Sequence, residues 1–282
     1  MKAIGKLKFM ILFIFVWYPV MLLHAQNIKF SENATDESAG NVPCFKIETD
    51  LATYYLEKYG LGLSSMVDKE GNDWISFHKA IASRAGGEFR GFPNAVHQQP
   101  DGSFFHPKNS GTGFSFAEVT YNGPDKVTIR GISGSNNWQC QWDFFSTHCS
   151  FTMTRMLKGA KYWILYEGTP GGKFENTGWW MTSRIKEKIP ITKTHEGDIP
   201  EPEWIVFGDK DIKRVIFLLN HSDDRHPDRF YPMDNLMTVF GFGRDQKGKH
   251  ITRVPQKFSI GFVESTDHQE ISQQIKQLLT DN

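Results

Sequence analysis

The stretch from Trp138 to Gly172, WQCQWDFFSTHCSFTMTRMLKGAKYWILYEGTPGG, constrains the fold of this chain more than any other. It holds two long runs rich in aromatic and β-branched residues, separated by the turn-like Lys158-Gly159-Ala160-Lys161. A long central hairpin is predicted. Side chains alternate along a strand, so His148, Ser150, Thr152 and Thr154 share one face while Cys149, Phe151 and Met153 take the other. On the returning run Tyr162, Ile164 and Tyr166 oppose Trp163, Leu165 and Glu167. One face can be core while the other carries a site. His148, Tyr166 and Glu167 are then titratable groups on a rigid scaffold, where catalytic geometry is held best. The competing reading makes His148 or Tyr166 a partly buried side chain satisfied by hydrogen bonds.

The rest of the chain has the same texture. Short strands are expected at Cys44–Thr49, Ala52–Lys58, Leu63–Val67, Trp74–Phe77, Phe114–Tyr121, Lys126–Ile132, Trp179–Glu187, Glu203–Phe207, Arg214–Asn220, Leu236–Gly241 and Phe258–Glu264. Turn residues separate them, as at Lys69-Glu70-Gly71-Asn72 and Asn122-Gly123-Pro124-Asp125. Residues Asn27 to Val42 read as a polar lead-in. Only Gln269 to Leu279 has helical spacing, with Ile271, Ile275, Leu278 and Leu279 on one stripe and Asp267 as a cap. Many short strands and one terminal helix indicate an all-β protein, a large antiparallel β-sandwich with a short C-terminal helix.

The amino terminus reads as an address. Lys2, Lys6 and Lys8 precede an apolar run from Phe9 to Leu23, and Leu23-His24-Ala25 ends in a small residue, as a cleaved secretory signal does. The expected organisation is a signal peptide over 1–25 and a single β-sandwich domain over 26–282, periplasmic or secreted, with no membrane association after cleavage. An uncleaved anchor is the alternative. Basic and acidic residues balance at 32 each, which gives no support for nucleic-acid binding. The three cysteines, Cys44, Cys140 and Cys149, cannot form a complete set of intramolecular bridges. Cys140 and Cys149 could pair if the strand bends at Ser146-Thr147.

Two segments concentrate polar chemistry. Arg84 to Lys108 is Gly-rich and irregular, yet carries Arg84, Glu88, Arg90, Asn94, His97, Gln98 and His106. Its Phe and Pro content would pin it as a ligand-facing loop, or as a structural crossover with solvated arginines. Asn220 to Asp234, NHSDDRHPDRFYPMD, offers His221, Asp223, Asp224, His226 and Asp228 as metal ligands. Arg225 and Arg229 make a self-neutralised surface loop an equal reading, so no metal and no cofactor are assigned. The chain lacks GxSxG, GxxxxGK[ST], dinucleotide-fingerprint and HExxH motifs, which removes the usual support for esterase, nucleotide and hydride chemistry.

Aromatic rings are platforms for sugars, and the adjacent Trp179-Trp180 must place one ring on each strand face, leaving one of them free for a ligand. Secretion, two polar loops and such platforms suggest an oligosaccharide containing uronic acid as partner. The accessible chemistry is β-elimination, in which a base removes the C5 proton and a group leaves C4. A cation or amide must meet the carboxylate as charge develops. His148 or His97 as base, Tyr166 as acid and Arg84 or Arg90 with Asn94 on the carboxylate fit these roles, with Glu167, Trp180 and His226 as further substrate contacts. Two alternatives stay open. A glycoside hydrolase would pair Glu167 with Asp143 or Glu88, and a non-catalytic sandwich would hold sugar without turnover.

The motif WDFFSTHCSFTMTRM followed by KYWILYEGTPGG, together with the signal segment and β-rich body, resembles secreted proteins of Bacteroidetes and Planctomycetes. The similarity, over roughly half of the chain after the signal, is to the oligosaccharide dehydratases of ulvan-utilisation loci. That resemblance implies removal of water from a non-reducing-end glucuronic acid. The product would be a 4,5-unsaturated uronyl end for a downstream unsaturated glucuronyl hydrolase.

Overall fold

The computed structural model describes residues 28–78, 89–99, 102–107, 115–222, 224–233 and 235–280, with side chains masked at 97–99 and 102–104. Residues 1–27, Arg84 and Glu88 lie outside the described residues. So does the side chain of His97.

Three antiparallel sheets and a small hairpin account for the strands. The largest sheet runs β13 (Ile189–Pro190), β12 (Trp179–Thr182), β15 (Trp204–Gly208), β16 (Val215–Asn220), β19 (Gln256–Val263), β10 (His148–Arg155), β9 (Gln139–Phe145), β8 (Lys126–Ile132), β7 (Phe116–Asn122). A second is the meander β1 (Lys29–Asp36), β2 (Val42–Glu48), β3 (Ala52–Glu57), β4 (Leu63–Asp68). The third is β11 (Ile164–Gly168), β18 (Met237–Phe242), β17 (Asp228–Met233), β14 (His195–Gly197). The hairpin pairs β5 (Val96–Gln99) with β6 (Gly102–Phe104).

The two four-stranded sheets are stitched together by Gly91 and Phe92. Gly91 exchanges both backbone hydrogen bonds with Glu167, at 2.7 and 3.0 Å, while the Leu63 N–H donates to the Phe92 carbonyl at 2.8 Å. One continuous layer results, facing the large sheet across a single core. Alternation decides what fills it. Trp142, Phe144, Phe151, Phe258 and Ile260 enter from the large sheet, and Tyr54, Leu56, Tyr166, Phe230, Phe240 and Phe242 from the opposite layer. Trp142 is the hub, packing edge-on to Phe92 at 5.9 Å and Phe151 at 5.3 Å. Truncating a buried aromatic of this kind costs about 3–5 kcal/mol.

The outer face of the large sheet is covered at one end by α1 (His268–Thr280). Asp267 Oδ1 accepts the N–H groups of Gln269 and Glu270, the expected cap. Ile271 and Ile275 then seal a second apolar cluster with Trp179, Met181, Trp204, Val206, Phe217 and Leu219.

The fold is thus the expected antiparallel β-sandwich with a short C-terminal helix, and four expectations within it are corrected. First, the central hairpin does not exist. β10 pairs with β9 and β19, whereas β11 pairs with β18 in the opposite layer, so Lys158–Lys161 begins a crossover between layers. The real hairpin turns at Ser146-Thr147, between β9 and β10. Second, the polar lead-in contains β1, paired with β2. Third, Trp74–Phe77 is buried without being a strand. Fourth, the second half of the polar loop at 220–234 is β17. Cys44, Cys140 and Cys149 are buried free thiols, each raised in pKa by that burial.

Candidate functional site

The outward face of the β11–β18–β17–β14 sheet carries the most unusual group of polar side chains. Tyr166 points into the core, so its neighbour Glu167 must point away from it. Glu167 is nonetheless buried, because the Gly91–Asn94 segment and His106 close over it. Its carboxyl is pushed up to about 8, first by that burial, against the lowering effects of the Asn94 hydrogen bond and the Arg244 charge. At neutral pH Glu167 holds its proton.

Each contact of Glu167 has a local cause. Asn94 stands at φ 39°, a left-handed conformation that asparagine tolerates better than most residues. This bend aims Asn94 Nδ2 at Glu167 Oε2, 2.6 Å away, and lets the Asn94 carbonyl accept the Trp163 indole N–H at 2.8 Å. His106 Nε2 lies 3.7 Å from Glu167 Oε2. It comes so close because Gly62 and Gly91 have no side chains. A Cβ on Gly91 would stand 2.6 Å from Pro107 Cδ and 3.1 Å from His106 Nε2, and one on Gly62 would strike the His106 backbone.

Beside Glu167 lies a cationic and aromatic surface. Arg244 follows β18, and its aliphatic stem crosses Gly241, where a Cβ would meet Arg244 Cδ at 3.0 Å. The guanidinium lies 4.9 Å from the Trp163 ring centroid and 5.2 Å from that of Tyr231, and its Nη2 donates to the Tyr231 hydroxyl. Nε and Nη1 of Arg244 are buried with no hydrogen-bond partner among the described residues. Lys249, paired with Arg244 across the 244–249 turn, places Nζ 4.8 Å from the Trp163 centroid. Burial lowers the Lys249 ammonium to about 8.

The structure brings Glu167 and Asn94 together and adds His106, already conspicuous in the sequence. It separates the remaining expected residues whose side chains it describes. Tyr166 is fully buried and donates its hydroxyl hydrogen to the Trp74 carbonyl at 2.6 Å, with its pKa held well above the ordinary value by burial. It cannot reach a substrate as the acid. His148 lies on the outer face of the large sheet, across the core from Glu167, stacked on Phe145 and hydrogen-bonded to Thr147. Burial, then the Lys257 charge, lowers its pKa to about 4. Arg90 spends its guanidinium on the carbonyls of Ser76 and Leu236.

Trp180 is in the core against Phe230 and His195, and Trp179 is buried under α1, so neither ring of the pair is the expected free platform. His226 is half-buried, its ring 5.9 Å from that of His250. Asp143, the hydrolase partner considered for Glu167, accepts from Thr128 and Gln141 on the far face of the sandwich. In the polar loop, Asp228 accepts the N–H groups of Ile199 and Gly243, and Asp224 accepts the His226 N–H. These oxygens tie loops together. Arg244 and Lys249 were missed because a Gly-rich turn dense in charge reads as solvated surface.

No family model and no curated protein matches the sequence. Solved structures do match. HI1317 is 13% identical over 84% of this chain and 100% of that chain, with a TM-score of 0.54. A putative mutarotase (YeaD) from Salmonella typhimurium is 10% identical over 79% of this chain and 91% of that one, at 0.46. An alpha-mannosidase from Enterococcus faecalis V583 is 9% identical over 83% and 31%, at 0.48. The likeness to HI1317 shows the fold.

Proposed function

We propose that this chain is an exported carbohydrate-active enzyme, its residues 1–25 removed, that eliminates water or a glycosidic leaving group from a uronic-acid residue of an oligosaccharide. The observation that carries the reading is the buried Glu167 carboxyl, pushed up to about 8, with His106 at 3.7 Å and within the influence of the Arg244 charge. A carboxylic acid that keeps its proton at neutral pH is suited to protonate a departing oxygen. Arg244, with unpartnered donors, and Lys249 are suited to meet the uronate carboxylate. Trp163 and Tyr231 hold those cations in place through their rings.

In the proposed reaction the sugar carboxylate lies against Arg244, whose charge stabilises the negative charge that grows as the C5–H bond breaks. The proton passes to His106 Nε2. The electron pair forms the C4–C5 double bond as the C4–O bond breaks, and Glu167 donates its proton to the leaving oxygen. The proton on His106 then returns to the Glu167 carboxylate through solvent, since the 3.7 Å gap between them is too long for direct transfer, and both groups are restored. Asn94 positions Glu167. No external oxidant, reductant or cofactor enters the balance.

The test incubates the chain from residue 26 with ulvan-derived and other uronic-acid oligosaccharides, following ultraviolet absorbance and product mass. Rising absorbance with loss of one water supports dehydration, and rising absorbance with chain cleavage supports lyase action. Binding without a new chromophore would replace the proposal with a sugar-binding role. A new reducing end without a double bond would make the protein a hydrolase.

A further inference from the structure

The cationic surface continues past the proposed reaction centre. Glu167 and Tyr231 both pair with Val239, so they stand in one row across the sheet, two strands and about 10 Å apart. Arg229 lies one outward position further along β17, in the row of Gly241 and Leu165. Its guanidinium sits 4.8 Å from the Tyr231 centroid, on the ring that also carries Arg244 at 5.2 Å. Lys249, Trp163, Arg244, Tyr231 and Arg229 thus form an unbroken sequence of cation–aromatic contacts.

Gathering three cations on one sheet face costs repulsion, and the ring contacts offset only part of it. Among the described residues, the carboxylate nearest Arg229 is Glu196 at 4.0 Å, a loose and half-exposed pair. A guanidinium stacked through its flat face keeps its in-plane N–H groups for an anion. Tyr231 holds the Arg229 guanidinium 4.8 Å from its ring centroid.

Resting on the proposed uronate site, we infer that Arg229 and Tyr231 form a second anionic subsite on β17, which reads a charge on a sugar residue neighbouring the one at Glu167. The ligand is then an oligosaccharide with anionic groups on at least two residues. A single uronic acid fills only the first subsite. Specificity for chain length and charge spacing resides in β17, outside the reacting group.

The test is calorimetric titration of the chain from residue 26, and of Arg229→Gln and Arg229→Lys, with three probes: glucuronic acid, a tetra-uronide and a neutral tetrasaccharide. The wild type is expected to bind the tetra-uronide at least about tenfold more tightly than glucuronic acid, a preference that weakens with salt. Arg229→Gln should abolish that ratio and Arg229→Lys restore part of it, with melting temperatures confirming the fold. An unchanged ratio in Arg229→Gln would overturn the second subsite while leaving the first intact. Equal binding of the neutral and charged tetrasaccharides would overturn both, as would no binding of either uronate.

Discussion

His106 Nε2 stands 3.7 Å from Glu167 Oε2, both side chains almost wholly buried, although 61 residues of chain separate them. Exchanging the acid for its amide keeps the shape and the Asn94 contact. Glu167→Gln should therefore lower the elimination rate about 10²–10⁴-fold and leave oligosaccharide affinity within about threefold. Single-turnover rates alongside titration check this. Equal losses in rate and affinity would make Glu167 a binding group.

Stability should record the same carboxyl. Its folded pKa is about 8 against an ordinary 4.5, so the folded state binds the proton more tightly than the unfolded one. The associated stabilisation is complete below about pH 4.5 and is lost as pH rises toward 8. Across that window the wild type should lose stability, on the order of a few kcal/mol, relative to Glu167→Gln. Paired melting curves at pH 5, 6.5 and 8 measure the difference, and parallel curves would show that Glu167 is ionised throughout.

Arg244 opposes the burial that raises Glu167. Replacing it with Gln should move the alkaline limb of the rate profile to higher pH and weaken binding of a uronate about tenfold or more. A limb that moves down, or stays, would separate Arg244 from the acid electrostatically.

Gly91→Ala places a methyl where Pro107 and His106 now lie, at a φ of 156°. The neighbours must shift, costing about 1–3 kcal/mol in the melt, and activity should fall by more than the melt explains. Full activity would mean that the position of His106 is not critical.

His148→Gln supplies the converse. The ring is on the far face of the sandwich, so turnover should stay within about twofold of wild type, an ordinary outcome for a substitution remote from a site. A large loss of rate with a normal melt would return His148 to the mechanism.

What alternation alone could reveal, the chain revealed. Trp163, Leu165 and Glu167 share a face because of a period of two, and that face carries the candidate site. The partner of a strand is a different matter. Lys158-Gly159-Ala160-Lys161 is as good a start for a crossover as for a hairpin, and only the pairing of β10 with β19, more than 100 residues later, decides between them. Once β10 and β11 part, His148 and Tyr166 cannot act on one substrate. The influence of the Arg244 charge on Glu167 was equally hidden, since it depends on how β11 and β18 meet.

The backbone of Glu167 is itself one side of the seam that joins the two four-stranded sheets, with Gly91 as the other. A slip of one residue there would turn Tyr166 outward and drive Glu167 into the aromatic interior. Correct assembly of that wall and correct aim of the acid are consequently a single event. A molecule that has closed the wall has already set the proposed proton donor in place, and amide exchange at Gly91 and Glu167 would time both at once.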